Sequence, residues 1–140
     1  MKLTIILARR IVPPSFTIRI GSTIGFETAV DDPVEVHFEG HFIARGEVRV
    51  KDDQYGLRIT ERLEATHPSL TTGTLEVILA ECPADEALLG KIAPEFVMEL
   101  GTSQHDVVEV RRDGTPVARG YIKALGDRVG VKVTELIVSG

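Results

Sequence analysis

The sequence is poor in several residue types, and each shortage narrows what it can do. Among its 140 residues there is one cysteine, Cys82, with no tryptophan and no asparagine. A lone cysteine excludes an internal disulfide and fits a reducing, cytoplasmic setting. As a nucleophile, Cys82 would need a neighbour that lowers its pKa, yet Glu81 and Glu86 raise it. An inert, partly buried thiol is therefore expected. Aromatic residues make up only 5% of the chain, five Phe and two Tyr, too few for an aromatic-lined ligand cage. Lys and Arg are scattered and the net charge is −5. Nucleic-acid binding needs clustered cations to neutralise phosphates, so it is not expected. No apolar run approaches the ~20 residues that cross a bilayer. The apolar start Leu3 to Leu7 is short and runs into Arg9 and Arg10. It reads as a first strand rather than a signal peptide.

The familiar chemical constellations are missing as well. His37 and His41 have the i, i+4 spacing that pairs metal ligands on a helix, but Glu39-Gly40 between them makes a hairpin. Structural zinc sites need four ligands, and no further His or Cys is near. His67 in a connector and His105 in a loop read as solvated side chains. Asp31-Asp32 and Asp52-Asp53 fall in predicted turns, where Asp serves the backbone. They do not make a general acid–base pair. Gly21-x-x-x-Gly25 lacks the Lys-Ser/Thr of a phosphate loop. No catalytic residue, metal or cofactor is expected.

What is present is duplication. Val34 to Leu63 (VEVHFEGHFIARGEVRVKDDQYGLRITERL) aligns without a gap to Val108 to Ile137 (VEVRRDGTPVARGYIKALGDRVGVKVTELI), with 11 of 30 positions identical. Shared residues include Gly40 with Gly114, Ala44-Arg45-Gly46 with Ala118-Arg119-Gly120, Gly56 with Gly130, and Thr60-Glu61 with Thr134-Glu135. The offset is 74, and a weaker upstream match has an offset of 72 (Leu3 with Leu75, Leu7 with Leu79, Ala8 with Ala80, Ile20 with Ile92, Glu27 with Glu99). Two extra residues near Thr102 to Asp106 account for the change. The division is residues 1–63, a linker 64–73 and residues 74–140. The linker EATHPSLTTG has connector composition.

Each copy reads as a β-meander. Val34, Val36 and Phe38 alternate with Glu35 and His37, the period of a half-buried strand. Glu39-Gly40 and Asp113-Gly114 are hairpin turns. Gly46 and Gly120 before the next strand signal a bulge or a close backbone contact. Lys51 to Gln54 turn the chain into Tyr55, Leu57 and Ile59, matched by Val129, Val131 and Val133. The clearest helix opens with Pro83 at its first position, with Asp85 and Glu86 in its first turn, Gly90 as C-cap, and Leu88 and Leu89 toward the core. Pro13-Pro14-Ser15 leaves any helix in the first copy shorter. Arg45 and Arg119 could each pair with an acid, Glu61 or Glu135. A unit of about 65 residues is marginal alone, so the copies are expected to share a core.

The string Gly40 to Thr60, GHFIARGEVRVKDDQYGLRIT, resembles the SPOA domain of flagellar switch proteins of the FliN and FliM type. Ile43-Ala44-Arg45-Gly46-Glu47-Val48 and Tyr55-Gly56-Leu57-Arg58-Ile59-Thr60 carry the pattern. Val117-Ala118-Arg119-Gly120 and Val129-Gly130-Val131-Lys132-Val133-Thr134 carry it again. The upstream halves depart from it: Gly21-Ser22-Thr23-Ile24 lacks the family's Asp, and Ala93-Pro94-Glu95-Phe96 lacks both Gly and Asp. The resemblance implies a mainly β fold of two tandem SPOA-like repeats forming an intertwined pseudo-dimer, with one or two short helices. It implies a non-enzymatic scaffold in the cytoplasmic ring of a flagellar motor, or in the sorting platform of an injectisome of the YscQ, HrcQ and SpaO type. The tandem arrangement favours the injectisome and the wording of the first copy favours the flagellum.

Implied partners are other ring subunits and a peripheral export regulator of the FliH type, with self-association. The implied location is cytoplasmic, peripheral to the inner membrane, without membrane insertion. The family's apolar docking patch corresponds to Val48 and Val50, and to Ile122, Ala124 and Leu125. Arg49, Lys51 and Lys123 interrupt it, as ordinary strand alternation would. A small β-barrel enzyme or ligand-binding domain would instead need a pocket with convergent polar groups. No such cluster recurs outside Ala-Arg-Gly. A chemotaxis phosphatase would need an Asn on a helix, and the chain has none.

Overall fold

The computed structural model describes residues 1–138. It is mainly β, with antiparallel ladders and one short helix among the described residues. The elements are β1 (Lys2–Ile11), β2 (Thr23–Ala29), β3 (Val34–Phe38), β4 (His41–Lys51), β5 (Gln54–Pro68), β6 (Thr74–Pro83), α1 (Glu86–Lys91), β7 (Val97–Ser103), β8 (Val108–Arg112), β9 (Thr115–Leu125) and β10 (Arg128–Leu136). The chain forms two compact units. The first holds Met1–Ile6, Pro33–Leu70 and Leu79–Gln104; the second holds Leu7–Asp32, Thr71–Ile78 and the chain from His105 on.

In the first unit β1 pairs with β3, β3 with β4, β4 with β5, and β5 with β7. Its core is apolar: Leu3, Ile5, Val34, Val36, Ala44, Leu57 and Ile59 are buried. The alternation seen in sequence produces this directly, because every second side chain of a strand faces one side. In the second unit β6 pairs with β8, β8 with β9, β9 with β10, and β10 with β2. Leu75, Val77, Val110, Ala118, Val131 and Val133 fill its core. Burying each Val, Leu or Ile contributes about 1.5–3 kcal/mol.

The hairpins form where the turn residues demand. Glu39 and Gly40 have φ of 44° and 80°, and Asp113 and Gly114 have 51° and 81°. Two successive positive φ values are the geometry whose twist matches the flanking strands. Asp52 and Asp53 do the same between β4 and β5, with φ of 52° and 65°. Asp tolerates that region better than most residues.

Three local expectations are corrected. Pro83 ends β6 rather than opening the helix. The Ala84 amide donates to the Met1 carbonyl at 2.9 Å, which keeps the chain extended up to Asp85. Asp85 is the N-cap, accepting from the Leu88 amide at 2.8 Å. Gly90 lies inside the helix, Ile92 caps it, and Leu88 and Leu89 are only half-buried. The change of offset also lies elsewhere. β2 and β7 pair with matching residues, Ile24 with Val131 and Met98 with Leu57, so their offset is already 74. The two extra residues therefore fall between β6 and β7, in the stretch holding α1, which is two residues longer than the stretch between β1 and β2, and not near Thr102 to Asp106. Finally, β5 continues to Pro68, so Glu64 to Pro68 of the connector are strand.

Candidate functional site: a duplicated bulge and the hairpin faces

The residues common to both copies converge on one device. On β4 and β5, Arg45 is opposite Glu61 and Gly46 is opposite Ile59, leaving Thr60 as the extra residue of a bulge. On β9 and β10, Arg119 is opposite Glu135 and Gly120 opposite Val133, leaving Thr134 extra. The Thr60 hydroxyl donates to the Arg45 carbonyl at 3.3 Å and the Thr134 hydroxyl to the Arg119 carbonyl at 3.4 Å. A bulge leaves a ladder carbonyl short of a partner, and threonine supplies one.

The glycines are required by space. A Cβ at Gly46 would lie 2.6 Å from the Arg58 carbonyl oxygen and 2.7 Å from Leu57 Cδ1. A Cβ at Gly120 would lie 2.8 Å from Val131 Cγ1 and would overlap the Lys132 carbonyl. Ala44 and Ala118 beside them are fully buried. Arg45 Nη1 is 2.6 Å from Glu61 Oε1, and Arg119 Nη1 is 3.3 Å from Glu135 Oε1. Both pairs are largely exposed, so they orient the strands more than they stabilise them. The Arg45 guanidinium also stacks on Phe42, 4.8 Å from the ring centroid. Gly40 and Gly114 sit in the hairpin turns. Gly56 and Gly130 are each the third residue of their strand, opposite Arg49 and Lys123.

Within each unit the apolar candidates can be placed by face. Directly paired residues share a face. Val48 is opposite buried Leu57 and Val50 opposite Tyr55, so both face the core side of the first unit. Burial fades toward the hairpin tip, and Val50 is 49% exposed. Ile122 and Ala124 take the equivalent face of the second unit, opposite Val131 and Val129. Leu125 points to the other face. Arg49, Lys51 and Lys123 are exposed on that opposite face, so the strand alternates.

Sequence reasoning missed an ion network on the outer face of the first unit. Arg58 Nη2 is 2.7 Å from Glu47 and its Nη1 is 3.0 Å from Glu95. The hydrogen bond and charge of Arg58 hold the Glu47 carboxyl below its usual range. Hydrogen bonds to Glu47 and Glu95 hold the Arg58 guanidinium above its own. Glu47 and Arg58 are adjacent only once β4 and β5 are in register. Glu95 is brought in by the β5–β7 ladder, a pairing that alternation alone does not specify.

Among the described residues, no group of three or more His, Cys, Asp and Glu is placed to hold a metal. His37 is buried, bonded to Ser69 at 2.7 Å and Glu35 at 2.8 Å, and stacked on Phe42. His41 is exposed on the far side of the turn. His67, within β5, and His105 are exposed. Burial, helped by Glu81, raises the Cys82 thiol above its ordinary value. No helix among the described residues is long and apolar enough to cross a membrane.

Part of the chain is similar in sequence to one known family. Residues 16–64 match the family described as Type III flagellar switch regulator (C-ring) FliN C-term. Arg45, Gly46, Thr60 and Glu61 all lie inside that match. Among individual proteins, the chain is 35% identical over 63 residues to the flagellar motor switch protein FliN of Pectobacterium carotovorum subsp. carotovorum. The alignment takes in 44% of this chain and 59% of that protein, so the chain spans less than two thirds of this relative's length. The resemblance read from Gly40 to Thr60 is thus matched at the level of the FliN C-terminal family.

Proposed function

We propose that the chain is a non-enzymatic scaffold subunit of a flagellar motor switch or a related type III secretion ring. The observation that carries this is the Arg-Gly/Thr-Glu bulge, built identically in both hairpins and lying, in its first copy, inside the FliN C-terminal match. A device made of glycine, threonine and a surface ion pair fixes strand geometry; it offers no reacting group.

In this reading residues 1–63 and 74–140 are tandem SPOA-like repeats joined by 64–73, forming an intertwined pseudo-dimer. The pairing of β2 with β10 and of β7 with β5 supports it. The working location is the cytoplasmic ring at the base of the apparatus. Partners are other ring subunits and an export regulator of the FliH type, with self-association in the ring. Val48 and Val50, and Ile122 and Ala124, supply the apolar contact, while Leu125 lies on the other face of β9 and takes no part in it. Weak contacts of this kind are multiplied by copy number.

The test is a crosslinked pull-down of the tagged chain from its native host, read by mass spectrometry. Recovery of switch-ring or export-apparatus proteins is expected, with loss of the apolar-dependent partner from Val50→Asp. A chain recovered alone, or with metabolic enzymes only, would overturn the reading.

A further inference from the structure

The two copies meet along β1 and β6, and the polar contacts there are related by exchange of the copies. In the first unit the Thr4 hydroxyl of β1 donates to Glu81 of β6 at 3.2 Å. In the second unit Arg9 of β1 binds Glu76 of β6 at 2.7 Å. At the offset of 72, Thr4 corresponds to Glu76 and Arg9 to Glu81. Each contact is therefore the other with the copies interchanged, yet the residue types differ. A hydroxyl–carboxylate hydrogen bond at one end of the seam is an ion pair at the other.

The ion pair is the better buried of the two. Glu76 is 3% exposed and Arg9 25%, whereas Glu81 is exposed. Glu76 also lies opposite Arg111 in the β6–β8 ladder, and Arg111 is bound to Glu109 at 2.9 Å. Thr4 lies opposite His37, which is bound to Glu35. Arg111 and Glu109 belong to the same copy as Glu76, and His37 and Glu35 to the same copy as Thr4. They accompany their copy whatever it pairs with, so only the partner across the seam changes.

A duplicated chain has two ways to pair. Unlike copies give Arg9 with Glu76 and Thr4 with Glu81, as observed. Second copies from two chains would set Glu76 against the other chain's Glu81, two acids together with one of them buried. First copies from two chains would set Arg9 against Thr4, which carries no charge. A buried charge that loses its partner, or gains a like charge, is strongly penalised. The apolar residues of the seam make no such distinction. Leu3, Leu7 and Ala8 recur as Leu75, Leu79 and Ala80, so they are the same in either arrangement.

We propose that Arg9 and Glu76 decide the pairing of this chain: they select the unlike copy and reject a second like copy. The proposal rests on the tandem-repeat reading above and adds which residues enforce it. Where many chains are brought together, the pair keeps every first copy with a second copy.

The experiment reads which copies pair in the full chain, refolded from urea under oxidant at high concentration. In a Cys82→Ala background, Thr23→Cys with Lys132→Cys reports unlike pairing, because the two are opposite in β2 and β10. Val97→Cys with Lys132→Cys reports pairing of second copies. Val97 is the equivalent of Thr23, and in the observed arrangement it lies opposite Arg58 instead. Linked peptides are quantified by mass spectrometry. With Arg9 and Glu76 intact, the unlike link forms and the like link stays a trace. Glu76→Gln keeps the side chain's shape and removes its charge. It should raise the ratio of like to unlike links at least about tenfold. Glu76→Arg, which would pair with Glu81 of a like copy, should raise it further, and adding Arg9→Glu should bring it back down. A ratio unmoved by Glu76→Gln, with the unlike link still formed in the unaltered seam, would overturn the proposal alone. A like link that dominates in the unaltered seam would overturn the pairing of unlike copies with it.

Discussion

Arg45 and Glu61 face each other across β4 and β5 at 2.6 Å, immediately beside the residue at which the ladder slips by one. Arg119 and Glu135 repeat the arrangement at 3.3 Å. The ion pair marks the bulge rather than holding it. Exposed pairs of this type contribute about 0.2–1 kcal/mol. A double-mutant cycle with Arg45→Ala and Glu61→Ala, followed by urea denaturation, should return a coupling within that range. A much larger coupling would mean that the pair, and not the glycine, carries the geometry.

The glycines carry more. Gly46→Ala forces a methyl against the Arg58 carbonyl, which is backbone and cannot swing away. Gly120→Ala does so against the Lys132 carbonyl. Overpacking of this kind costs about 1–3 kcal/mol. Each variant should lower the urea midpoint clearly. Gly90→Ala, where nothing lies within 4 Å, should be neutral or stabilising.

The Glu47–Arg58 contact has a pH signature. The folded-state pKa of Glu47 is depressed, so the carboxylate's contribution to stability is fully present above its unfolded value near 4.5. It is lost as pH falls through the lower folded value. Carbon-detected titration should find Glu47 changing charge below 4.5, and Arg58→Met should return it to the ordinary range. An unmoved Glu47 in that variant would remove Arg58 as the cause.

Much of this was legible in the residues. Glu39-Gly40 and Asp113-Gly114 specify turns because glycine makes positive φ free of strain. Gly46 and Gly120 were readable as a bulge or a close backbone contact because glycine otherwise only weakens a strand interior. Recurrence of Arg45 and Arg119 offered Glu61 or Glu135 as partners, and the β4–β5 register settles Glu61 for Arg45. The partners of β2 and β7 were not legible. Alternation fixes which face a strand shows and says nothing of which strand lies beside it across a hundred residues. The helix start was missed because Pro83 fits both a strand end and a first helical turn. The Ala84–Met1 hydrogen bond that decides between them is long-range. The closeness of Leu125 to Gly25 was hidden for the same reason: the two lie a hundred residues apart in the chain.

The pseudo-dimer proposed for the scaffold has β2 lying against β10 of the same chain. Thr23 and Lys132 are opposite one another in that ladder and both are exposed. Opposed residues of an antiparallel pair have Cα atoms about 4.5–5.5 Å apart, within disulfide reach. In a Cys82→Ala background, Thr23→Cys with Lys132→Cys should oxidise rapidly in dilute solution. The product expected is a single chain of about 15.3 kDa carrying an internal disulfide, identified by its linked peptides. Thiols that stay reduced under oxidant, or a disulfide found only between two chains, would contradict the pairing.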